Sequence, residues 1–176
     1  MLTATYSIVA METEQTRACT ILDVTRAGIA ALWGNLQNED PRRIETVLLG
    51  LARFDWYCHQ RKVEKYVIPA VRGSSHEIDA IVGDLDSLSS VGIDFLERAV
   101  EQGRLMFDRR TSHLIDLCGA MEAYCDCLQQ RLRKEEEELL PLVWRMLSVE
   151  DWFRLAAQFL DDKRDARPWP PTAVLP

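Results

Sequence analysis

Glycine and proline are scarce in this chain, eight and seven in 176 residues. Four of the seven prolines fall in its last dozen residues. The body of the sequence therefore carries few breaks, which favours long helices. Strand-like alternation is absent, and so is any repeat of solenoid length. No run approaches the ~20 apolar residues of a membrane span. The five cysteines are an odd number, and they include no C-x-x-C. With no signal peptide to be read, this points to reduced thiols and a cytoplasmic setting. Cys19, Cys58, Cys118, Cys125 and Cys127 read as small hydrophobes, and Cys125 and Cys127 point to different faces of a helix. Neither G-x-S-x-G nor a phosphate loop is present. Cys58 adjoins His59, but helix neighbours point about 100° apart, so the two make no catalytic couple. The expectation is a protein that is not an enzyme. Basic charge is also lacking: 21 Lys and Arg against 28 Asp and Glu give a net charge of −7. That balance disfavours a nucleic-acid groove or an acidic membrane surface.

What is present is a helical pattern with a 47% hydrophobic content, enough for one domain with a substantial core. The first helix is expected from about Tyr6 to Leu36, with a seam of Ile8, Met11, Gln15, Ala18, Leu22, Thr25, Ile29, Leu32 and Leu36. Asn38 to Asp40 make a turn, and Pro41 suits a first helical position. The second helix is expected from Pro41 to about Arg72, with Leu48, Ala52, Trp56, His59, Val63, Tyr66 and Ala70 facing inward and Pro69 kinking or ending it. Gly73 to Ser75 break the chain. A third helix follows with Ile78, Val82, Leu85 and Leu88 on one stripe, a kink near Ser89 to Gly92, and an end near Phe107. The fourth runs from about Arg110 to Met146. A short fifth helix is capped by Ser148, with Asp151 three residues on, and packs Trp152, Leu155, Ala156 and Phe159 onto the others. These elements read as an all-α, up-down-up-down four-helix bundle over residues 1–160, followed by a Pro-rich tail over 161–176, extended or disordered from Arg164 to Pro176.

One stripe turns from oil to charge. Leu117, Met121, Tyr124, Leu128, Arg131, Glu135, Glu138 and Leu142 recur with alternating spacings of four and three, so they share one face of the fourth helix. The first four are apolar, so the face looks inward. Arg131 and Glu135 then stand where core residues belong, and buried charge is costly unless it is paired or holds a metal. Glu138 can reach solvent at the bundle end. His113 lies about 27 Å of helix rise from Arg131 at ~1.5 Å per residue, outside this site.

The second and fourth helices end alike, in "CHQRKVEKYVIPAV" (58–71) and "RLRKEEEELLPLV" (131–143). Pro69 stands ten residues after His59, and Pro141 ten after Arg131. These ends, with "LSVEDWFRLAAQF" (147–159), resemble the hemerythrin-like, or HHE cation-binding, family over nearly the whole chain. That resemblance implies a bundle whose centre holds two irons or another metal pair, with His from all four helices and Glu from the second and fourth. Carried over position by position, the family's sites fall on Gln15, His59, Val63, Ser75, Arg131 and Glu135. Only His59 and Glu135 keep the ligand type. Glu64 lies one residue from the Val63 position and points elsewhere, and His76 is adjacent to Ser75. Arginine keeps its proton and is no ligand. The expectation is therefore a bundle without cofactor, in which Arg131 stands in for the metal by pairing with Glu135 and bonding Gln15 or Ser75 across the core. Such a protein would serve as a structural, sensing or interaction module for a protein partner. The alternative is a metal protein binding iron or zinc through His59, Glu135 and either His76 or Glu64. It would hold one ion, or a full di-iron pair carrying oxygen or nitric oxide. Trp56, Trp144 and Trp152 offer a surface for a homodimer.

Overall fold

A computed structural model describes residues 2–34, 40–105 and 111–165, and among them the chain is all helical, with no strand. The elements are α1 (Leu2–Trp33), α2 (Pro41–Gln60), a π turn (Val63–Val67), α3 (Ile68–Val71), α4 (His76–Leu105), α5 (Thr111–Lys134), a second π turn (Glu135–Leu139), α6 (Leu140–Met146) and α7 (Val149–Asp165). None of these helices is long and apolar enough to cross a membrane. Helix ends follow local chemistry. Asp40 accepts from the Arg42 N–H at 2.9 Å and sets Pro41 as the first helical residue of α2. Ser148 and Asp151 form a reciprocal capping box, each side chain accepting from the other's backbone N–H at 3.2 Å. Gly73 adopts φ +81°, the left-handed conformation that lets the chain reverse between α3 and α4.

α5 forms the spine. Leu117, Cys118, Met121 and Cys125 are wholly buried, and α5 packs against α4 and α1. α1 also packs on α2 and α7, and α2 on α4. The expected α1 seam is realised at Met11, Gln15, Ala18, Leu22, Ile29 and Leu32; Leu36, Asn38 and Phe107 lie outside the described residues. The buried apolar side chains form two clusters. One gathers Ala18, Leu22, Phe54, Cys58, Met121, Leu128 and their neighbours. The other gathers Met11, Val63, Val67, Ile78, Leu139, Val143 and Phe159. On three elements the switch from one cluster to the other falls at a polar residue: Gln15 between Ala18 and Met11, Arg61 between Cys58 and Val63, Glu135 between Leu132 and Leu139.

Three expectations are corrected. The second helix is not continuous to Arg72, because α2 stops at Gln60 and Arg61 is extended, with ψ 149°. Its buried face is Ile44, Leu48, Leu51, Phe54 and Cys58. Trp56 and His59 lie one step round the helix from that face and are exposed. α4 runs unbroken from His76 to Leu105. Gly92 makes no break there, since it lies against Tyr124 and Cys127, where a Cβ would sit 3.6 Å from the Cys127 Cβ. The last helix continues to Asp165, past the expected boundary at 160, and residues 166–176 of the expected tail lie outside the described residues.

Two measurements follow from this packing. Phe159 is wholly buried and meets the Tyr66 ring at 5.6 Å. Phe159→Ala should cost about 3–5 kcal/mol in a denaturant melt; a cost below about 1 kcal/mol would mean that α7 merely rests on the surface. Burial pushes the Cys58 and Cys125 thiols up to about 12, and Cys118 and Cys127 are also buried, whereas Cys19 is exposed. The thiolate is the reactive form. Partial burial and the nearby Glu136 and Asp23 raise the Cys19 thiol too, so alkylation of the native protein at pH 8 should consume one thiol, Cys19, first by virtue of its exposure, and all five only in denaturant.

Candidate functional site

Both π turns begin six positions before a proline, Pro69 or Pro141. A proline ring inside a regular helix strikes the carbonyl four residues back. A π turn adds a residue to the turn and moves that carbonyl aside. Ile68 thus donates its N–H to Val63 O, and Leu140 to Glu135 O. The extra residue also resets the inward face. On the fourth segment the seam passes from Arg131 and Glu135 to Leu139, leaving Glu138 exposed. On the second, Val63 and Val67 stay buried while Glu64 faces the charged centre.

That centre holds two arginines and two carboxylates. Arg61 is 1% exposed and Glu135 0%. The Arg61 guanidinium grips Glu135 in a fork, Nη1 to Oε2 at 2.8 Å and Nη2 to Oε1 at 2.9 Å. Its Nη1 also donates to Gln15 Oε1 at 2.9 Å, and its Nε to the Cys58 carbonyl at 3.3 Å. Gln15 in turn donates Nε2 to the Leu132 carbonyl at 2.8 Å. Arg131, 6% exposed, donates Nε to Glu64 at 2.9 Å and to Glu135 at 3.1 Å. Its Nη2 adds a second bond to Glu64, and its Nη1 reaches the Leu85 carbonyl at 2.6 Å and the Ser89 hydroxyl. Glu64 lies 3.6 Å from Arg61. The result is a closed ring of alternating sign, Arg61–Glu135–Arg131–Glu64, whose formal charges cancel. Beside it, Lys62 donates its backbone N–H to Glu14 at 2.7 Å and pairs with the same carboxylate through Nζ.

The electrostatics follow from burial. Loss of water works against the Arg61 charge, but Glu135 and its two hydrogen bonds outweigh this and hold the guanidinium above its ordinary range. The same loss of water pushes the Glu135 carboxyl upward, against the pull of Arg61 and Arg131. At the ring's edge Tyr124 donates to Asp55 Oδ1 at 2.7 Å, and burial with that carboxylate raises the phenol well above its usual value.

Of the positions singled out in the sequence, Gln15, Arg131 and Glu135 come together, and Arg131 pairs with Glu135 as expected. Val63 is buried in the adjoining apolar cluster. Arg131 bonds Ser89 and Leu85 across the core, not Gln15 or Ser75. Glu64 points into the site, not elsewhere: the extended residue Arg61 breaks the helical phase just before it. His59 is not inside the core: half its side chain is exposed, and its Nδ1 faces the Asp55 carbonyl at 2.9 Å. Ser75 caps α4, its hydroxyl accepting from the Ile78 N–H at 3.2 Å. His76 is exposed at the first position of α4. Among the described residues, no three His, Cys, Asp or Glu side chains are grouped as a metal ion needs. Sequence reasoning missed Arg61. Its one signal was a position between the buried residues Cys58 and Val63, shortly before a proline, and the assumption of one continuous helix hid it.

The ring predicts a particular pattern of losses. Arg61→Met or Glu135→Leu alone should cost about 3–5 kcal/mol, since each leaves an uncompensated buried charge. The double variant leaves Arg131 and Glu64 as a neutral pair. A double-mutant cycle by denaturant melts should give a coupling of about 0.5–3 kcal/mol, and strict additivity would remove the ring.

No family model matches this chain, and neither does any curated protein or solved structure.

Proposed function

We propose that this chain is a non-enzymatic, hemerythrin-like four-helix bundle, up-down-up-down with α7 as the added fifth helix, whose metal site has been replaced by fixed charge. Its role is that of a structural, sensing or interaction module for a protein partner in the cytoplasm. The contacts of α1 with α2, α2 with α4, α4 with α5 and α5 with α1 close a circuit of four helices, which supports the bundle. One observation carries the rest. Glu135, the buried carboxylate at a family ligand position, is held in a fork by Arg61 and bonded again by Arg131. Arginine keeps its charge at any pH the fold survives. Two guanidiniums at the centre repel a cation, and both oxygens of Glu135 already accept arginine N–H groups. The residues at the centre do not fit a di-iron group. The two positive charges supply what two cations would: they neutralise inward-facing carboxylates and tie the helices to one another.

The test is metal content after purification without chelator, and again after anaerobic incubation with ferrous iron and exposure to air. The expected result is no bound metal and an unchanged melting curve. About two irons per chain with new visible absorption would overturn the proposal. About one metal, lost on His59→Ala, would favour the alternative site at His59.

A further inference from the structure

α7 packs on α1 and meets the second segment at its π turn. Beyond that turn a groove of about 460 Å³ opens between α3 and α7, within the ~300–1,000 Å³ of small-molecule sites. Its two walls run antiparallel. At one end Tyr66 meets Phe159 at 5.6 Å, and at the other Ser75 Oγ lies 4.0 Å from Met146 Sδ. The two ends differ in chemistry. Lys65 lines one wall near the Tyr66 end, its Nζ 5.3 Å from the Tyr66 ring centre, and Arg154 lines the facing wall. Val71, Met146 and Leu147 line the other end. Val71 and Leu155 are buried, so they give the groove a fixed apolar floor.

Asp151 is the one carboxylate on the lining. It is engaged in the α7 cap, where its Oδ2 accepts from the Ser148 hydroxyl at 2.6 Å, and its Oδ1 lies 3.4 Å from Arg154. The lining therefore carries a surplus of one positive charge in a chain whose net charge is −7. A cationic ligand would meet like charge there. A wholly apolar one would take water from Lys65 and Arg154 without replacing it. A monoanion with an apolar body matches both the surplus charge and the floor. We infer that this groove binds an amphipathic monocarboxylate, its carboxylate between Lys65 and Arg154 and its apolar body laid along Leu155 toward Val71 and Leu147. Of the ring residues Arg61, Glu64, Arg131 and Glu135, none lines the groove, so its occupancy is independent of whether the centre holds metal.

The test titrates the full chain with decanoate, below the concentration at which it self-associates, and with decanol and decylammonium as its neutral and cationic counterparts. Amide NMR shifts report both the affinity and the place. The expected result is saturable binding of decanoate, with shifts gathered on residues 65–74 and 146–158. Decanol should bind about tenfold more weakly, and decylammonium more weakly still. Lys65→Gln and Arg154→Gln should each weaken decanoate about two- to fivefold; both side chains are exposed, so the fold tolerates their loss. Ala70→Asp, also at an exposed position, should weaken it by setting a like charge on the wall. No saturable binding, decanol or decylammonium binding as tightly as decanoate, shifts gathered on other residues, or charge variants that bind as the parent does would each overturn the inference.

Discussion

The fork between Arg61 and Glu135 is the constraint around which the core is arranged. Each group alone would be costly where it sits, because burial strips its water. Together, and joined by Arg131 and Glu64, they form a neutral ring tying the second helical segment to the fourth, with Gln15 of α1 and Ser89 of α4 bonded at its edge. Hydrophobic burial is non-directional and would tolerate helices sliding past one another. A ring of guanidinium–carboxylate bonds does not, since each bond demands its own distance and plane. It therefore fixes the register of the helices between two apolar clusters that could not set it unaided.

The two π turns each contribute a carboxylate to the ring. Without the second, a uniform 3.6-residue repeat would carry Glu138 inward in place of Leu139. Each turn precedes a proline that already disfavours a regular helix at that point. The proline and the buried charge thus share one local distortion. Extended backbone at Arg61 completes the device, directing its side chain inward where a continuous helix would have spent that position differently.

Much of this architecture was legible in the sequence. The α1 seam, the Pro41 start, the Ser148–Asp151 cap and the oil-to-charge stripe of α5 are periodic or local signals, and the structure carries them. The Arg131–Glu135 pair was legible for the same reason, being four residues apart on one helix. What was not legible depends on departures from the ideal period. One extended residue hid Arg61 and Glu64, and the extra residue of the second π turn put Leu139 in the place of Glu138. An inner face read one step off placed His59 in the core, where Cys58 belongs. Ser89 and Gly92 looked like breaks because their partners, Arg131 and the Tyr124–Cys127 surface, stand more than thirty positions away in sequence.

The neutrality of the ring also bears on how such a sequence can change over generations. Single replacements that remove the charge of Arg61, Glu64, Arg131 or Glu135 leave an odd charge in this layer, whereas paired replacements of opposite sign do not. Drift through this layer is therefore restricted to coordinated steps. A one-residue change of charge in this layer passes through a destabilised intermediate, so its four charges change together or stay as they are.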